Sequence, residues 1–155
     1  MMLTRLSSRA ALAVVLTAGL GLAAGFAMGR SSVAAQNADL GTWVSTGGTE
    51  IELLLSESNL GGSEIQIGEI TWPPGANSGS HPHGATEIFY VLEGELEHVV
   101  DGVSEILGPG DLGFVRPPSE VNHITSPDGG RVRALVIWAP GGEGTRIVGN
   151  WQRIE

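Results

Sequence analysis

The chain has 155 residues, room for one domain of ordinary size and too few for two. Apolar residues at 41% and charged residues at 16% exclude a wholly disordered chain, and 24 glycines with 8 prolines are more punctuation than an all-helical bundle tolerates. The formal charge of −9 argues against nucleic acid as a partner, while the lack of lysine and cysteine excludes Schiff-base chemistry, thiolate metal sites, a cysteine nucleophile and disulfides.

The N-terminus comes first. Met1 to Arg9 carries Arg5 and Arg9 and no acid, Ala10 to Met28 is uncharged and rich in Ala, Leu and Val, and Val33-Ala34-Ala35 ends on small side chains. This is the three-part pattern of a secretory signal peptide with cleavage after Ala35. The apolar run, residues 10–28, is also close to the length of a membrane span, so an uncleaved anchor is the rival reading. Arg5 and Arg9 are not adjacent, so the twin-arginine signature is missing. Either way residues 36–155 are expected outside the cytoplasm, secreted, periplasmic or membrane-anchored. They hold five arginines against 17 acidic residues, a formal charge of −12, which keeps an exported domain soluble and repels anionic substrates.

Residues 36–155 read as one antiparallel β-barrel. Short apolar or alternating runs at Glu50–Leu55, Glu64–Trp72, Thr86–Leu92, Glu95–Val100, Val103–Leu107, Gly113–Arg116, Asn122–Thr125 and Val132–Ala139 are separated by Gly- and Pro-rich turns. Asp101-Gly102 is a two-residue hairpin signal. No helix is expected after residue 40, and Pro140–Gly144 reads as a loop. Ile88–Leu92 and Ala134–Trp138 are apolar at every position, so both faces of these strands call for cover. A second subunit would supply it and make the protein a homodimer; the alternative is residues 40–60 folding over the outer face.

All four histidines lie in this part: His81, His83, His98 and His123. His81 and His83 are two apart and project to one face of an extended chain, and Glu87 shares their parity if the backbone stays extended past Gly84. His123, in a short run after Pro117-Pro118, is the best source of a third imidazole. Imidazole and carboxylate together suit one borderline divalent ion among Mn, Fe, Co, Ni, Cu and Zn. Strand parity turns Phe89 and Val91 inward with Glu87, and His98 inward with Leu96 and Val100. There His98 is either an acid–base group beside the metal or a neutral core histidine. Trp72, Trp138 and Phe114 are candidates for apolar wall or core. Arg131 and Arg133 read as a solvated strand face, and Asp111 as a turn-stabilising side chain.

The segment Gly75-x5-His81-x-His83-x3-Glu87-x6-Gly94 resembles the first signature of the cupins position for position. Gly110-Asp111, Pro117-Pro118 and His123 resemble the second, with Ser119-Glu120 where a glycine is usual and Pro127 where an asparagine is common. The likeness covers roughly residues 65–140. It implies a small jelly-roll barrel, often dimeric, with one metal held by His81, His83, Glu87 and His123. Cupin chemistry is broad, so three functions stand at this point. The first is a dioxygenase-type oxidoreductase acting on a small apolar or phenolic molecule, with Glu87 as ligand or general base and His98 as a further catalytic group. The second is a non-redox isomerase or cyclase using the metal as Lewis acid. The third is a non-catalytic module that binds a small ligand or metal. Few inward cations are in evidence, which argues against sugar phosphates and polycarboxylates.

Overall fold

The computed structural model describes residues 39–155, so residues 1–35, read above as a signal peptide or anchor, lie outside the described residues. In chain order the elements are β1 (Gly41–Val44), β2 (Glu50–Leu55), α1 (Glu57–Leu60), β3 (Gln66–Trp72), β4 (His81–Pro82), β5 (Thr86–Glu93), β6 (Leu96–Val100), β7 (Val103–Leu107), β8 (Leu112–Val115), β9 (Glu120–Thr125), β10 (Val132–Ala139), α2 (Glu143–Val148) and β11 (Gln152–Arg153). One sheet runs β11-β1-β2-β3-β10-β5-β8 and the other β4-β9-β6-β7. Every pairing is antiparallel, giving the expected jelly roll.

The period of two builds the core. Along β10, Val132, Ala134, Val136 and Trp138 are buried, and along β5 Glu87, Phe89 and Val91 are. Leu96, Val121 and Thr125 line the inner face of the smaller sheet. The two inner faces meet where the Phe89 ring lies 4.9 Å from that of His98 and 5.4 Å from that of His123. Val100 pairs with Val103, so Asp101 and Gly102 form a two-residue turn, both with positive φ (49° and 81°), the backbone that a tight hairpin asks for. Asp111 Oδ2 accepts the Gly108 N–H at 2.8 Å, the turn role read for it. Arg133 pairs with Glu69 at 2.7 Å across β10 and β3, on the outer face.

Three expectations are corrected. Two short helices follow residue 40. In α1, the Asn59 side chain accepts the Ser56 N–H at 3.0 Å and secures the first turn. In α2, Glu143 and Gly144 belong to a helix, so only Pro140–Gly142 of the predicted loop is one; the glycines that open this helix conceal it from any propensity reading. The doubly apolar runs do alternate in burial: Tyr90 and Leu92 are exposed, and residues 41–55 extend the sheet sideways beyond β3 instead of folding over its outer face. Phe114 is neither wall nor core, since it stands 59% exposed on that same outer face.

Candidate metal centre and cavity

His81, His83, Glu87 and His123 all line one cavity of about 670 Å³. They converge by a route that strand parity alone does not describe. His81 belongs to β4, which pairs with β9 in the smaller sheet (His81 opposite Val121), and the chain then bends at Gly84-Ala85 into β5 of the larger sheet. His81 and Glu87 therefore come from different sheets, and His83 from the link between them. His123, two residues along β9 from Val121, shares the inner face with that residue.

Imidazole nitrogens bind borderline divalent ions at roughly 2 Å, so rings on a common ion stand roughly 4.5–6 Å apart. The His81 and His83 rings are 5.2 Å apart, and those of His81 and His123 are 6.2 Å apart. Among the described residues no three or more donors close on one point as they stand. His83 Nε2 rests 2.9 Å from Glu87 Oε2 instead. That contact is short but poorly aligned: both atoms, and His123 Nε2, are buried without a hydrogen-bond partner. His81 Nδ1 contacts the Gly79 carbonyl at 2.7 Å, which places a proton on Nδ1 and makes Nε2 the nitrogen available as a ligand. Three buried polar atoms without a well-formed hydrogen bond, two on imidazoles and one on a carboxylate, fit a borderline divalent cation.

The electrostatics favour the ligating forms. Burial disfavours the Glu87 carboxylate, but the contact with His83 and the positive charge available on His123, His83 and His81 more than offset it, and its pKa lies below the usual value. Burial pushes His123 down to about 4, against the pull of Glu87, so the ring is neutral at pH 7. His98, opposite His123 in the β6–β9 ladder, is also lowered by burial. Its ring stacks on that of His123 at 5.5 Å and does not line the cavity.

The opposite wall comes from a part of the chain that carried no site prediction. Arg146, Ile147, Asn150 and Trp151 line the cavity, joined by Trp72, Ile51 and Ile70 from the larger sheet. Trp72 thus belongs to the wall, 5.4 Å from the His123 ring, whereas Trp138 is fully buried core. Arg146 is a cation at a cavity where few were expected. It donates to Glu143 through two nitrogens at 2.6 and 2.9 Å, and Glu143 also accepts the Gly84 N–H at 3.1 Å. Arg146, aided by that N–H, holds the Glu143 carboxyl below its ordinary pKa although burial opposes it. The signal for this pair was the i, i+3 spacing Glu143–Arg146, visible only once a helix is placed there. A depression of about 330 Å³ on the far side of β2 and β3, between Glu52, Glu69, Arg131 and Arg133, contains no histidine.

A two-sheet antiparallel jelly roll with three histidines and one glutamate turned into a single cavity defines a class of small barrel proteins. Residues 68–138 match the family described as Cupin domain, and that part of the chain is a cupin domain. Its structure is similar to that of an RmlC-like cupin from Shewanella frigidimarina, at 26% identity and a TM-score of 0.56, over 68% of this chain and 88% of that one. It is also similar to a predicted oxalate decarboxylase from Thermotoga maritima, at 22% identity and a TM-score of 0.57, over 65% of this chain and 93% of that one. A polyketide cyclase from Streptomyces resistomycificus aligns at 23% identity and a TM-score of 0.56, over 65% and 74% of the two chains. Among curated proteins no sequence matches significantly.

Proposed function

We propose that this cupin holds one divalent metal ion through His81, His83, Glu87 and His123 and oxidises a small apolar or phenolic molecule in the manner of a dioxygenase. The observation that carries the reading is a set of buried donors at one cavity: His123 Nε2 has no hydrogen-bond partner, and His83 Nε2 and Glu87 Oε2 meet only each other, poorly aligned at 2.9 Å. An unsatisfied buried polar group costs about 1–3 kcal/mol, and a cation held by these donors would offset that cost.

The bound ion supplies a centre of positive charge on which substrate and oxygen can meet. The chain supplies the rest. Trp72, Ile51, Ile70 and Ile147 give the cavity apolar walls that exclude water and accept an aromatic or aliphatic body. Glu87 Oε2 is a ligand and, released from it, the nearest base for a substrate proton. His98 contributes through His123, as the ring stacked on it, since it does not reach the cavity itself. Arg146 and Asn150, at the opposite wall, offer donors to a polar substituent.

The proposal extends to location and assembly. Export with cleavage after Ala35 rests on the composition of residues 1–35 and on the −12 charge that follows them. Dimerisation rests on the outer face of the larger sheet, where Leu135, Tyr90 and Leu112 form one cross-strand row and Ile137, Ile88 and Phe114 the next. On β10, β5 and β8 these rows are apolar, the first meeting an acid only at Glu69 of β3, where Arg133 pairs with it, and so offer two strongly acidic copies a surface on which to meet.

The test is metal analysis of purified residues 36–155, followed by oxygen uptake in the presence of phenolics and short diketones. About one divalent ion per chain, with oxygen consumption that depends on it, is the expected result. Metal-dependent turnover without oxygen consumption favours the isomerase or cyclase reading, and binding with no turnover favours the non-catalytic module. Protein that takes up no divalent ion overturns the reading.

A further inference from the structure

The metal reading leaves one buried carboxylate unused. Glu143, on α2, is 5% exposed and turned into the protein, while its ion-pair partner Arg146 keeps its side chain 60% exposed. An i, i+3 pair formed only for the helix surface has no need to bury its acid. Glu143 Oε1 lies 3.8 Å from His83 Nδ1, which has no hydrogen-bond partner, and the other nitrogen of that ring is the one facing Glu87. The two ring nitrogens of His83 thus face two different carboxylates.

We infer that Glu143 is a positioning residue for the metal centre: its carboxylate accepts the Nδ1 proton of His83 when Nε2 of the same ring binds the ion. The inference rests on the metal reading above. His81 shows the same device with a different acceptor, its Nδ1 held at 2.7 Å by the Gly79 carbonyl. A histidine ligand that donates its second N–H to an oxygen has a set tautomer and ring orientation and a more basic ligating nitrogen. Closing 3.8 Å to hydrogen-bond distance takes a movement of about 1 Å, within reach of a ring rotation.

The surroundings hold Glu143 in place for this. The Gly84 N–H donates to its Oε1, and a Cβ on Gly84 would fall 2.8 Å from its Oε2, so the glycine after His83 leaves room for the carboxylate to cross. The start of α2 is tied to β3, where Gln66 Nε2 donates to Thr145 Oγ1 at 2.8 Å and Gln66 Oε1 accepts the Thr145 N–H at 3.3 Å. The helix is thereby docked against the barrel by its acidic end, and the C-terminal segment supplies both a cavity wall and an orienting group.

The experiment titrates Co²⁺ into the full chain after chelation, for the natural protein, Glu143→Gln and Glu143→Ala, with His123→Ala as the variant that removes a ligand. Expected is a loss in Co²⁺ affinity of roughly 10-fold for Glu143→Gln and up to about 100-fold for Glu143→Ala. The visible Co²⁺ spectrum should change in both, while the unfolding midpoint of metal-free Glu143→Gln stays near that of the natural protein. Glu143→Gln retains an amide oxygen for Gly84 and Arg146, and decides the matter if Glu143→Ala fails to fold. Affinities within twofold and an unaltered spectrum in Glu143→Gln, beside a natural protein and a His123→Ala variant that differ as expected, overturn the positioning role alone. A natural protein that binds no Co²⁺ overturns the metal reading and this inference with it.

Discussion

His98 and His123 face each other across the β6–β9 ladder with ring centroids 5.5 Å apart and planes 13° from parallel. Both are 4% exposed, and burial depresses the pKa of each, that of His123 to about 4. Stacked so closely, two imidazoles cannot both be protonated without strong repulsion in a dry interior.

A pH dependence of stability follows for the metal-free protein. The unfolded chain takes up protons on these two histidines near pH 6.5, whereas the folded chain does so only at lower pH. Stability from this source is complete above pH 6.5 and falls as the pH drops from there toward 4. For His123 the loss is on the order of 3 kcal/mol over the window. Urea unfolding at steps between pH 7.5 and 4.5 should show the midpoint declining below pH 6.5, and His98→Leu should lessen the slope. A midpoint that is flat from pH 7.5 to 5 would contradict the buried, neutral state of both rings.

The ligand set makes a separate claim. His81→Ala and His123→Ala each remove one imidazole from the cavity, and His81 is the more exposed of the two. Each variant should retain the β-sheet circular dichroism of the natural protein and lose most of its divalent metal on dialysis. Full stoichiometry in both would refute the assignment.

Much of this site was legible because strand parity is a local property. Glu87, Phe89 and Val91 share one face, as do Leu96 and His98, and their burial follows that pattern. The side chains that the spacing from His81 to Glu87 groups do line one cavity, although the chain crosses between sheets at Gly84-Ala85 and does not stay extended there. Glu143, Arg146 and Trp151 were not legible. Their contribution depends on where α2 docks, and that is decided largely by Gln66 and Leu53, far away in sequence. Phe114 was misplaced for a related reason: on a strand apolar at most positions, pattern does not say which face is inner until the partner strands are known.

The outer sheet face should be an interface between two copies. Tyr90, Leu112 and Phe114 are 45%, 58% and 59% exposed in the single chain, and all lie on adjacent strands β5 and β8. Light scattering should give twice the monomer mass. Phe114→Glu, which adds a charge to an already acidic molecule on the edge strand of this patch, should shift the mass to that of one chain at micromolar concentration. Because Phe114 is not in the core, the unfolding of the separated chain should remain cooperative. A natural protein that scatters as a monomer over the same range would remove the dimer from the proposal.

The docking of α2 can be tested through a residue that touches neither the cavity nor any ligand. A Cβ added at Gly144 would meet Trp138 Cζ3 at 2.7 Å, Gln66 Oε1 at 2.8 Å and Leu53 Cδ2 at 2.9 Å. All three partners are buried at 2% exposure or less, so none can swing aside into solvent. In a loosely attached helix, Gly→Ala stabilises by up to about 1 kcal/mol through propensity. Here the clash dominates, and Gly144→Ala should cost about 1–3 kcal/mol, a Tm lower by roughly 4–12 °C. Gly130→Ala supplies the comparison, since a Cβ there meets nothing within 4 Å and its Tm should change little. The two substitutions are chemically identical, so a difference between them measures the packing at Gly144. Because the helix must move outward to admit the methyl group, Glu143 moves with it, and Co²⁺ affinity should fall in Gly144→Ala but not in Gly130→Ala. A Gly144→Ala protein as stable as the natural one, with unchanged metal affinity, would mean that α2 is free to adjust and that its acidic end is not held against His83.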